Sequence, residues 1–250
     1  MHKFFQFPKR QQLDIELAQQ VAKLLKDAIK VKGQATIAVS GGSTPKGFFA
    51  ALSQQELDWQ QVTVCLVDER CLDQTNSDSN TYLVKQQLLN NCAANAQFFD
   101  INPIHKINSQ VNITANIIPN IKKSNKLEQA DLTNLNDLVQ NKLSCFDVLI
   151  LGMGEDGHTA SIFPCSKQLD DCFAADAPPL VAVQPTTANY QRISFSFPYL
   201  KQSKAIFLHI VGEKKLATLT SALANSDHLQ MPISAFLHHQ QLQTQVYWAK

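Results

Sequence analysis

The sequence predicts an α/β protein with a mostly parallel central sheet and helices on both of its faces. Short apolar segments, such as FDVLIL at 146–151 and AIFLHIV at 205–211, alternate with segments whose apolar residues recur every three or four positions. Apolar runs without polar alternation are typical of strands that are covered on both faces. Strands that alternate with helices along a chain usually form a parallel sheet.

The first part of the chain is predicted to contain two helices and two strands in alternation. Leucine and valine at helical spacing predict a helix over 11–30, and apolar runs predict strands over 36–40 and 62–67. After the first strand, Thr44 as N-cap and Pro45 as the first helical residue predict a short helix.

The middle of the chain contains two further predicted helices. One lies near 80–91, and leucines at helical spacing predict another over 127–143, directly before the strand at 146–151. Between the two helices, residues 101–125 are mixed and turn-rich, which favours a short strand and an irregular connection.

The remaining elements are three strands, a helix and a closing strand. They are predicted at 181–183, 192–197, 205–211, 213–224 and 245–248. In RISFSF, at 192–197, serines alternate with Ile193 and Phe195, which predicts a less buried face or a sheet edge. Neither a repeat nor a Gly/Ser linker divides the chain, so we expect residues 1–250 to form one domain.

The charge balance argues against partners that are large polyanions. Lys and Arg number 22 and Asp and Glu 21, for a net charge of +1, so any anion recognition must be local. No apolar run reaches the length of a membrane span, and MHKFFQFPKRQQ is too short and polar for a signal peptide. The six cysteines form no C-x-x-C pair. We therefore expect a cytoplasmic protein with no nucleic-acid partner, membrane partner or metal site.

The turn after the first strand has the residues of an anion site. Gly41, Gly42, Ser43 and Thr44 lie between a strand end and a helix start, where backbone N–H groups and the helix dipole favour a phosphate. No Walker motif is present, so the turn does not indicate a nucleoside triphosphate. The alternative is an ordinary capped turn.

Two further turns carry charged or titratable side chains. Asp68, Glu69 and Arg70 end the strand at 62–67, where they form either a cluster that stabilises negative charge or a surface ion pair. After the strand at 146–151, His158 has Asp156 two residues before it, which fits a general base oriented by a carboxylate. The other six histidines, His209 among them, have no comparable setting, and we expect no role for them.

The turn that carries His158 also contains a G-x-G-x-x-G pattern, at Gly152, Gly154 and Gly157. A dinucleotide site would need a helix that opens at the third glycine and an acidic residue after the next strand. Pro164 interrupts such a helix, so we reject that interpretation. The three turns follow parallel strands, whose carboxyl ends meet at one edge of a sheet, and we expect them to form one site.

The motifs SGGSTP, VDER, SDSN, LGMGEDGHTASIFP and RISFSF, followed by G-x-x-K from Gly212 to Lys215, resemble those of the 6-phosphogluconolactonase family. The resemblance covers nearly the whole chain. It implies a Rossmann-like fold similar to that of glucosamine-6-phosphate deaminase. It also implies hydrolysis of a sugar-phosphate lactone without a metal or organic cofactor, by a monomer or homodimer.

The resemblance also implies roles for individual residues. Arg192 and Lys215 would help the Gly41–Thr44 turn to bind phosphate. His158 would activate a water molecule, Arg70 would stabilise the oxyanion, and Asp68 and Asp156 would position substrate and histidine.

Two rivals to this interpretation are a deaminase and a sugar-phosphate sensor without catalytic activity. The deaminase family carries a glutamate in the run after its histidine turn, and Phe163 stands at that position here. Sensors of this fold carry a DNA-binding helix-turn-helix, for which the chain has neither room nor a basic face.

Overall fold

The computed structural model describes residues 2–102, 127, 129–143 and 145–250. Within these residues the strands are β1 (Lys3–Phe7), β2 (Ala35–Val39), β3 (Val62–Leu66), β4 (Asp68–Arg70), β5 (Gln97–Phe99), β6 (Val148–Leu151), β7 (Leu180–Val183), β8 (Arg192–Phe195), β9 (Ala205–Val211) and β10 (Thr244–Ala249). The α-helices are α1 (Arg10–Lys32), α2 (Lys46–Ser53), α3 (Asn80–Gln87), α4 (Gln129–Lys142), α5 (Leu169–Phe173), α6 (Phe197–Leu200), α7 (Glu213–Ala224) and α8 (Ser234–Leu237). Short 3-10 helices lie at Trp59–Gln61 and Asn91–Asn95.

A seven-stranded sheet forms the centre of the protein, in the order β1-β10-β9-β6-β2-β3-β5. Every neighbouring pair in this sheet is parallel. All four residues of β6 are buried, as a strand covered by helices on both faces must be. The predicted α/β class is therefore confirmed.

Helix α1 packs against the sheet through one apolar stripe. Leu13, Leu17, Val21 and Leu25 are fully buried along this stripe. Burial of each leucine side chain contributes about 1.5–3 kcal/mol before entropy is counted. The helix ends at Gly33, whose φ of 77° is in the left-handed region that favours glycine.

The sheet also contains an edge strand that the sequence pattern does not predict. Strand β1 pairs with β10 in parallel, although most of its residues are exposed. Its aromatic side chains lie beside those of β10, with 5.4 Å between the ring centroids of Phe7 and Tyr247. Aromatic contacts between the two strands therefore hold this edge in place.

Strands β4, β8 and β7 form a second sheet, which is small and antiparallel. The prediction of a less buried face or a sheet edge for 192–197 is wrong. Strand β8 lies between the other two strands, and Ser194 and Ser196 are both fully buried. The hydroxyl of Ser194 donates to the carbonyl of Phe195 and accepts from the amide of Ser161. The hydroxyl of Ser194 therefore lies among internal hydrogen bonds, and Ser196 is buried as well, so neither serine lies on a solvated surface.

Several predicted boundaries shift by a few residues. Helix α2 begins at Lys46 rather than at Pro45, and no side chain caps it. Helix α3 ends at Gln87, short of the predicted 91. Apart from residues 101 and 102, the prediction for 101–125 lies outside the described residues. Among the helices that the structure describes, none is long and apolar enough to cross a membrane.

Candidate active site

A cleft of about 280 Å³ opens at the carboxyl ends of β2, β3 and β6. Strand β2 pairs with β3 on one side and with β6 on the other. In this sheet the next strand after β2 is β3, on one side, and the next after β6 is β9, on the other, so the connections after β2 and β6 leave in opposite directions. Such a switch point is where open α/β sheets bind ligands.

The Gly41–Thr44 turn forms one wall of the cleft. Gly42 has a φ of 91°, a conformation that favours glycine. A Cβ atom at Gly41 would overlap the side chain of Asn80, so this glycine allows a close approach between two loops. Behind the turn, Nη2 of Arg10 donates to the carbonyls of Ser43 at 3.1 Å and Thr44 at 2.9 Å. These contacts hold the turn in place at the start of α2.

Ser40 connects this turn to the turn that carries His158. Its hydroxyl donates to the carbonyl of Ile150 at 3.1 Å and accepts from the amide of Gly152 at 2.9 Å. Thr159 closes the second turn from the other side, because its hydroxyl donates to the carbonyl of Gly152 at 2.8 Å. The two turns are therefore fixed relative to each other.

His158 and Asp156 form a close pair within the second turn. Nδ1 of the imidazole lies 2.5 Å from Oδ1 of Asp156, and the amide of His158 donates to the same oxygen at 3.2 Å. Partial burial alone would raise the pKa of Asp156, but its hydrogen bonds and charge interaction with His158 outweigh burial and lower the pKa. An ionised Asp156 that accepts the Nδ1 proton leaves Nε2 to accept a proton from elsewhere.

Glycines make this arrangement sterically possible. Gly157 has a φ of 78°, and a Cβ atom at Gly154 would overlap the imidazole of His158 and the carboxylate of Asp156. Described residues between Gly157 and α5 form no α-helix, which agrees with rejection of the dinucleotide interpretation. The glycines therefore serve the His–Asp pair.

Asp68 also lines the cleft, where it is buried. Its Oδ2 accepts from the hydroxyl of Ser161 at 2.6 Å and lies 3.8 Å from Nη1 of Arg192. Burial lowers the pKa of Arg192, an effect that Asp68 opposes and Arg70 reinforces. The guanidinium of Arg192 also lies 5.2 Å from the ring centroid of Phe163, within the range of a cation–π contact.

The alternative interpretation of Asp68, Glu69 and Arg70 as a surface ion pair is wrong. Glu69 is fully buried, and its carboxylate accepts hydrogen bonds from the amides of Arg70, Asn80 and Thr81 and from the hydroxyl of Ser79. Burial raises the pKa of Glu69 despite these bonds. Glu69 thus anchors the start of α3.

The guanidinium of Arg70 faces the cleft and is held at one end. Its Nη1 donates to the carbonyl of Asp78. The phenol of Tyr190 donates to the Asp78 carboxylate at 3.1 Å. Asp78 therefore links Arg70 to the loop before β8.

Lys215 reaches the cleft from helix α7. Its ammonium donates to the carbonyl of Met153 at 2.6 Å. Burial lowers the pKa of Lys215, although Glu155 and Asp156 oppose this effect. A partly buried cation at this position attracts an anionic group into the cleft.

The structure brings the predicted site residues together. Gly41, Gly42, Ser43, Thr44, Asp68, Arg70, His158, Arg192 and Lys215 all line the cleft, and Asp156 contacts His158. Three of these side chains are cations, so an anionic ligand fits best. Within the described ranges, no cluster of three His, Cys, Asp or Glu residues is suited to hold a metal ion.

The cleft contains two residues to which the sequence motifs assign no role. Asn80, the last residue of the SDSN motif, contacts Gly41 and donates to the carbonyl of Asp68 at 3.0 Å. His209 was expected to have no role, yet it lines the cleft and is only 2% exposed. A polar side chain within the apolar run of β9 was the only signal for His209.

Comparisons with known proteins agree with this architecture. The family model described as glucosamine-6-phosphate isomerases/6-phosphogluconolactonase matches residues 8–248. The 6-phosphogluconolactonase of Rhizobium meliloti (strain 1021) is 38% identical over 234 residues, which cover 93% of this chain and 92% of the relative.

Solved structures give the same result. A 6-phosphogluconolactonase from Shewanella baltica OS155 is 35% identical, with a TM-score of 0.88 over 100% of this chain and 98% of its own. A monomeric glucosamine-6-phosphate deaminase is 17% identical, with a TM-score of 0.74 over 99% of this chain and 97% of its own. At that identity the deaminase shares the fold alone.

Proposed function

Because the chain belongs to the glucosamine-6-phosphate isomerase/6-phosphogluconolactonase family, we propose that it hydrolyses 6-phospho-D-glucono-1,5-lactone to 6-phospho-D-gluconate. This reaction is the second step of the oxidative pentose phosphate pathway. One observation carries the proposal: the His158–Asp156 pair and the Gly41–Thr44 turn belong to the same cleft. Hydrolysis of a phosphorylated lactone requires a group that transfers protons and a site that binds the phosphate.

The phosphate of the substrate binds at the Gly41–Thr44 turn, at the start of α2. Backbone N–H groups and the positive end of the helix dipole favour a dianion there. Arg192 and Lys215 line the same cleft and supply positive charge. This end of the cleft fixes the substrate and orients its lactone ring.

His158 acts as the general base. Asp156 holds Nδ1, so Nε2 removes a proton from water as the water oxygen attacks the lactone carbonyl carbon. The bond between that carbon and the ring oxygen then breaks, and Nε2 returns the proton to the ring oxygen. The product is an open-chain acid, which ionises and releases one proton to solvent.

Arg70 stabilises the negative charge that develops on the carbonyl oxygen. Its guanidinium lines the cleft and is fixed by its hydrogen bond to the carbonyl of Asp78. Loss of a preorganised donor of this type typically lowers kcat by about 10²–10³. Asp68, which is buried beside Arg192, positions the sugar hydroxyls.

Phe163 favours the lactonase over the deaminase. Its ring stacks on the imidazole of His158, with 4.0 Å between the ring centroids. A carboxylate that supports sugar-ring opening, as in the deaminase family, is therefore replaced by an apolar ring beside the proposed base.

The test is acid release from freshly prepared 6-phosphogluconolactone, run beside a glucosamine-6-phosphate deamination assay. We expect purified protein to accelerate the first reaction only, and the His158→Ala variant to lose about 10²–10⁴ of that rate. Equal rates for the variant and the wild type would exclude His158 as the base. Ammonia release without lactone hydrolysis would favour the deaminase instead.

The proposal extends to the compartment, oligomeric state and cofactor requirement of the enzyme. We place it in the cytoplasm, in a monomer or homodimer with a small-molecule substrate and with neither nucleic-acid nor membrane partners. The reaction needs no metal or organic cofactor, because His158 transfers the proton and Arg70 stabilises the charge. Full activity after dialysis against EDTA is the expected result.

A further inference from the structure

A buried imidazole lies at the floor of the cleft. His209, on β9, is 2% exposed and lines the same cleft as His158 and the Gly41–Thr44 turn. Its neighbours along the strand are apolar, and the ring of Phe48 packs against it edge to face with 5.9 Å between centroids. The proposed reaction assigns no task to this side chain.

Asp14, on α1, is the charged group beside His209. Its Oδ1 lies 3.4 Å from Nε2 of the imidazole, and its side chain is only 7% exposed. A Cβ atom at Gly47 would overlap the other carboxylate oxygen, so this glycine makes room for Asp14 beneath α2. The His209–Asp14 pair is therefore built into the base of the turn and helix that face the cleft.

Arg10 extends this pair to the back of the anion turn. Its Nε lies 3.7 Å from Oδ2 of Asp14, and its Nη2 holds the carbonyls of Ser43 and Thr44. Asp14 thus lies between the imidazole of His209 and the guanidinium of Arg10. Asp14 is connected to the proposed phosphate seat from two directions.

The hydrogen bonds of His209 are incomplete. Within the described part of the chain, neither ring nitrogen has a hydrogen-bond partner, and Oδ1 of Asp14 also lacks one. Buried polar atoms are normally paired, because an unpaired one has lost its hydrogen bonds to water without a replacement. A ligand bound in the cleft can supply the hydrogen-bond acceptor that His209 lacks.

We propose that His209 is a further phosphate-binding residue and that Asp14 is its positioning residue, an inference that rests on the proposed function. An imidazole can present an N–H donor to an oxygen acceptor at either of its two ring nitrogens. Nε2 lies 3.4 Å from Oδ1 of Asp14, and Nδ1 donates to an oxygen of the phosphoryl group. The dianion thereby completes hydrogen bonds that the protein leaves unmade.

The test uses inorganic phosphate as the probe and the full chain as the protein. Titration calorimetry compares wild type with His209→Leu, and His239→Leu serves as the matched control because His239 does not line the cleft. We expect the phosphate Kd to rise at least tenfold in His209→Leu and to stay unchanged in the control. The KM for 6-phosphogluconolactone should rise in parallel, with kcat within about threefold.

A check of the fold separates loss of binding from loss of folding. Circular dichroism and thermal unfolding establish that His209→Leu is folded before its phosphate Kd is compared with that of wild type. Asp14→Asn, which keeps the shape of the side chain, should raise the phosphate Kd without a change in kcat. An unchanged phosphate Kd in folded His209→Leu would overturn the inference.

Wild-type protein provides a measurement that does not depend on the folding of any variant. The ring ¹⁵N signals of His209 should shift on saturation with phosphate, and no shift would overturn the inference. Failure of the proposed function gives a different pattern: phosphate binding that depends on His209, without lactone hydrolysis by wild type.

Discussion

The ring of Phe163 stacks on the imidazole of His158, with 4.0 Å between the centroids and 30° between the planes. The guanidinium of Arg192 lies 5.2 Å from the centroid of the same Phe163 ring. One apolar residue therefore contacts both the proposed base and a proposed phosphate ligand. Its flat shape matters because both partners are planar groups.

Phe163→Leu should lower kcat and raise KM together. Leucine keeps an apolar side chain but removes the flat surface, so His158 and Arg192 lose their orientation. A misplacement of about 1 Å can cost 10²-fold in rate, so we expect roughly 10- to 100-fold in kcat/KM. Steady-state kinetics measure the change. Phe173→Leu is the control, since Phe173 packs against Phe197 and His228 instead.

Substitution of two glycines in the same turn should have unequal effects. In Gly154→Ala, the new Cβ overlaps His158 and Asp156, so the pair must separate. In Gly152→Ala, the nearest atom is Cβ of Ser40 at 3.7 Å, which is an ordinary contact. We expect Gly154→Ala to lose about 10²-fold or more in kcat and Gly152→Ala to remain within a few-fold of wild type. Similar kcat values for both variants would contradict the proposed geometry.

Substitution of Arg70 should mainly affect kcat, whereas substitution of Lys215 should mainly affect KM. Arg70→Gln removes a donor to the developing oxyanion, so kcat should fall by about 10²–10³ with little change in KM. Lys215→Gln and Arg192→Gln remove cations that attract the phosphate in both ground and transition states, so they should mainly raise KM. A purely kcat effect for Lys215→Gln would argue against its role in phosphate binding.

Acid should destabilise the protein through Asp147, far from the chemistry. Burial alone would raise the pKa of Asp147, but hydrogen bonds from Lys32, the amide of Thr36 and Lys204 outweigh burial and lower it below 3.8. A lowered folded-state pKa gives stability above the unfolded value that is lost as pH falls. Asp147→Asn should therefore cost about 1–3 kcal/mol at pH 7 and progressively less below pH 4.

Urea denaturation at pH 7 and at acidic pH measures this difference. Asp27→Asn is the matched control, since Asp27 is exposed on α1. A loss of stability in Asp147→Asn that is the same at both pH values would show that ionisation is not the cause.

The site was predictable where a local pattern carries the chemistry. Asp156 and His158 are two residues apart after an apolar strand, so spacing alone places a carboxylate beside an imidazole. The carboxyl ends of β2, β3 and β6 converge for the topological reason used in the prediction. Sheet geometry therefore converts three separate turns into one cleft.

The contributions of His209 and Ser194 depend on tertiary contacts that no local pattern encodes. His209 pairs with Asp14, almost two hundred positions away in the chain, and a single histidine in an apolar strand has no spacing to interpret. The alternation around Ser194 predicts a wet face, but the small antiparallel sheet buries both faces of β8. A period of two does not distinguish solvent from an internal hydrogen bond.

The hydroxyl of Ser40 forms hydrogen bonds with Ile150 and Gly152, which lie 110 and 112 positions further along the chain. Lys215 adds a segment that is synthesised later still. Contacts between distant segments form slowly, because the entropy of loop closure is lost before any contact compensates for it. During refolding, recovery of lactonase activity should therefore trail recovery of helical circular dichroism, so that enzymatic turnover reports the last stage of assembly.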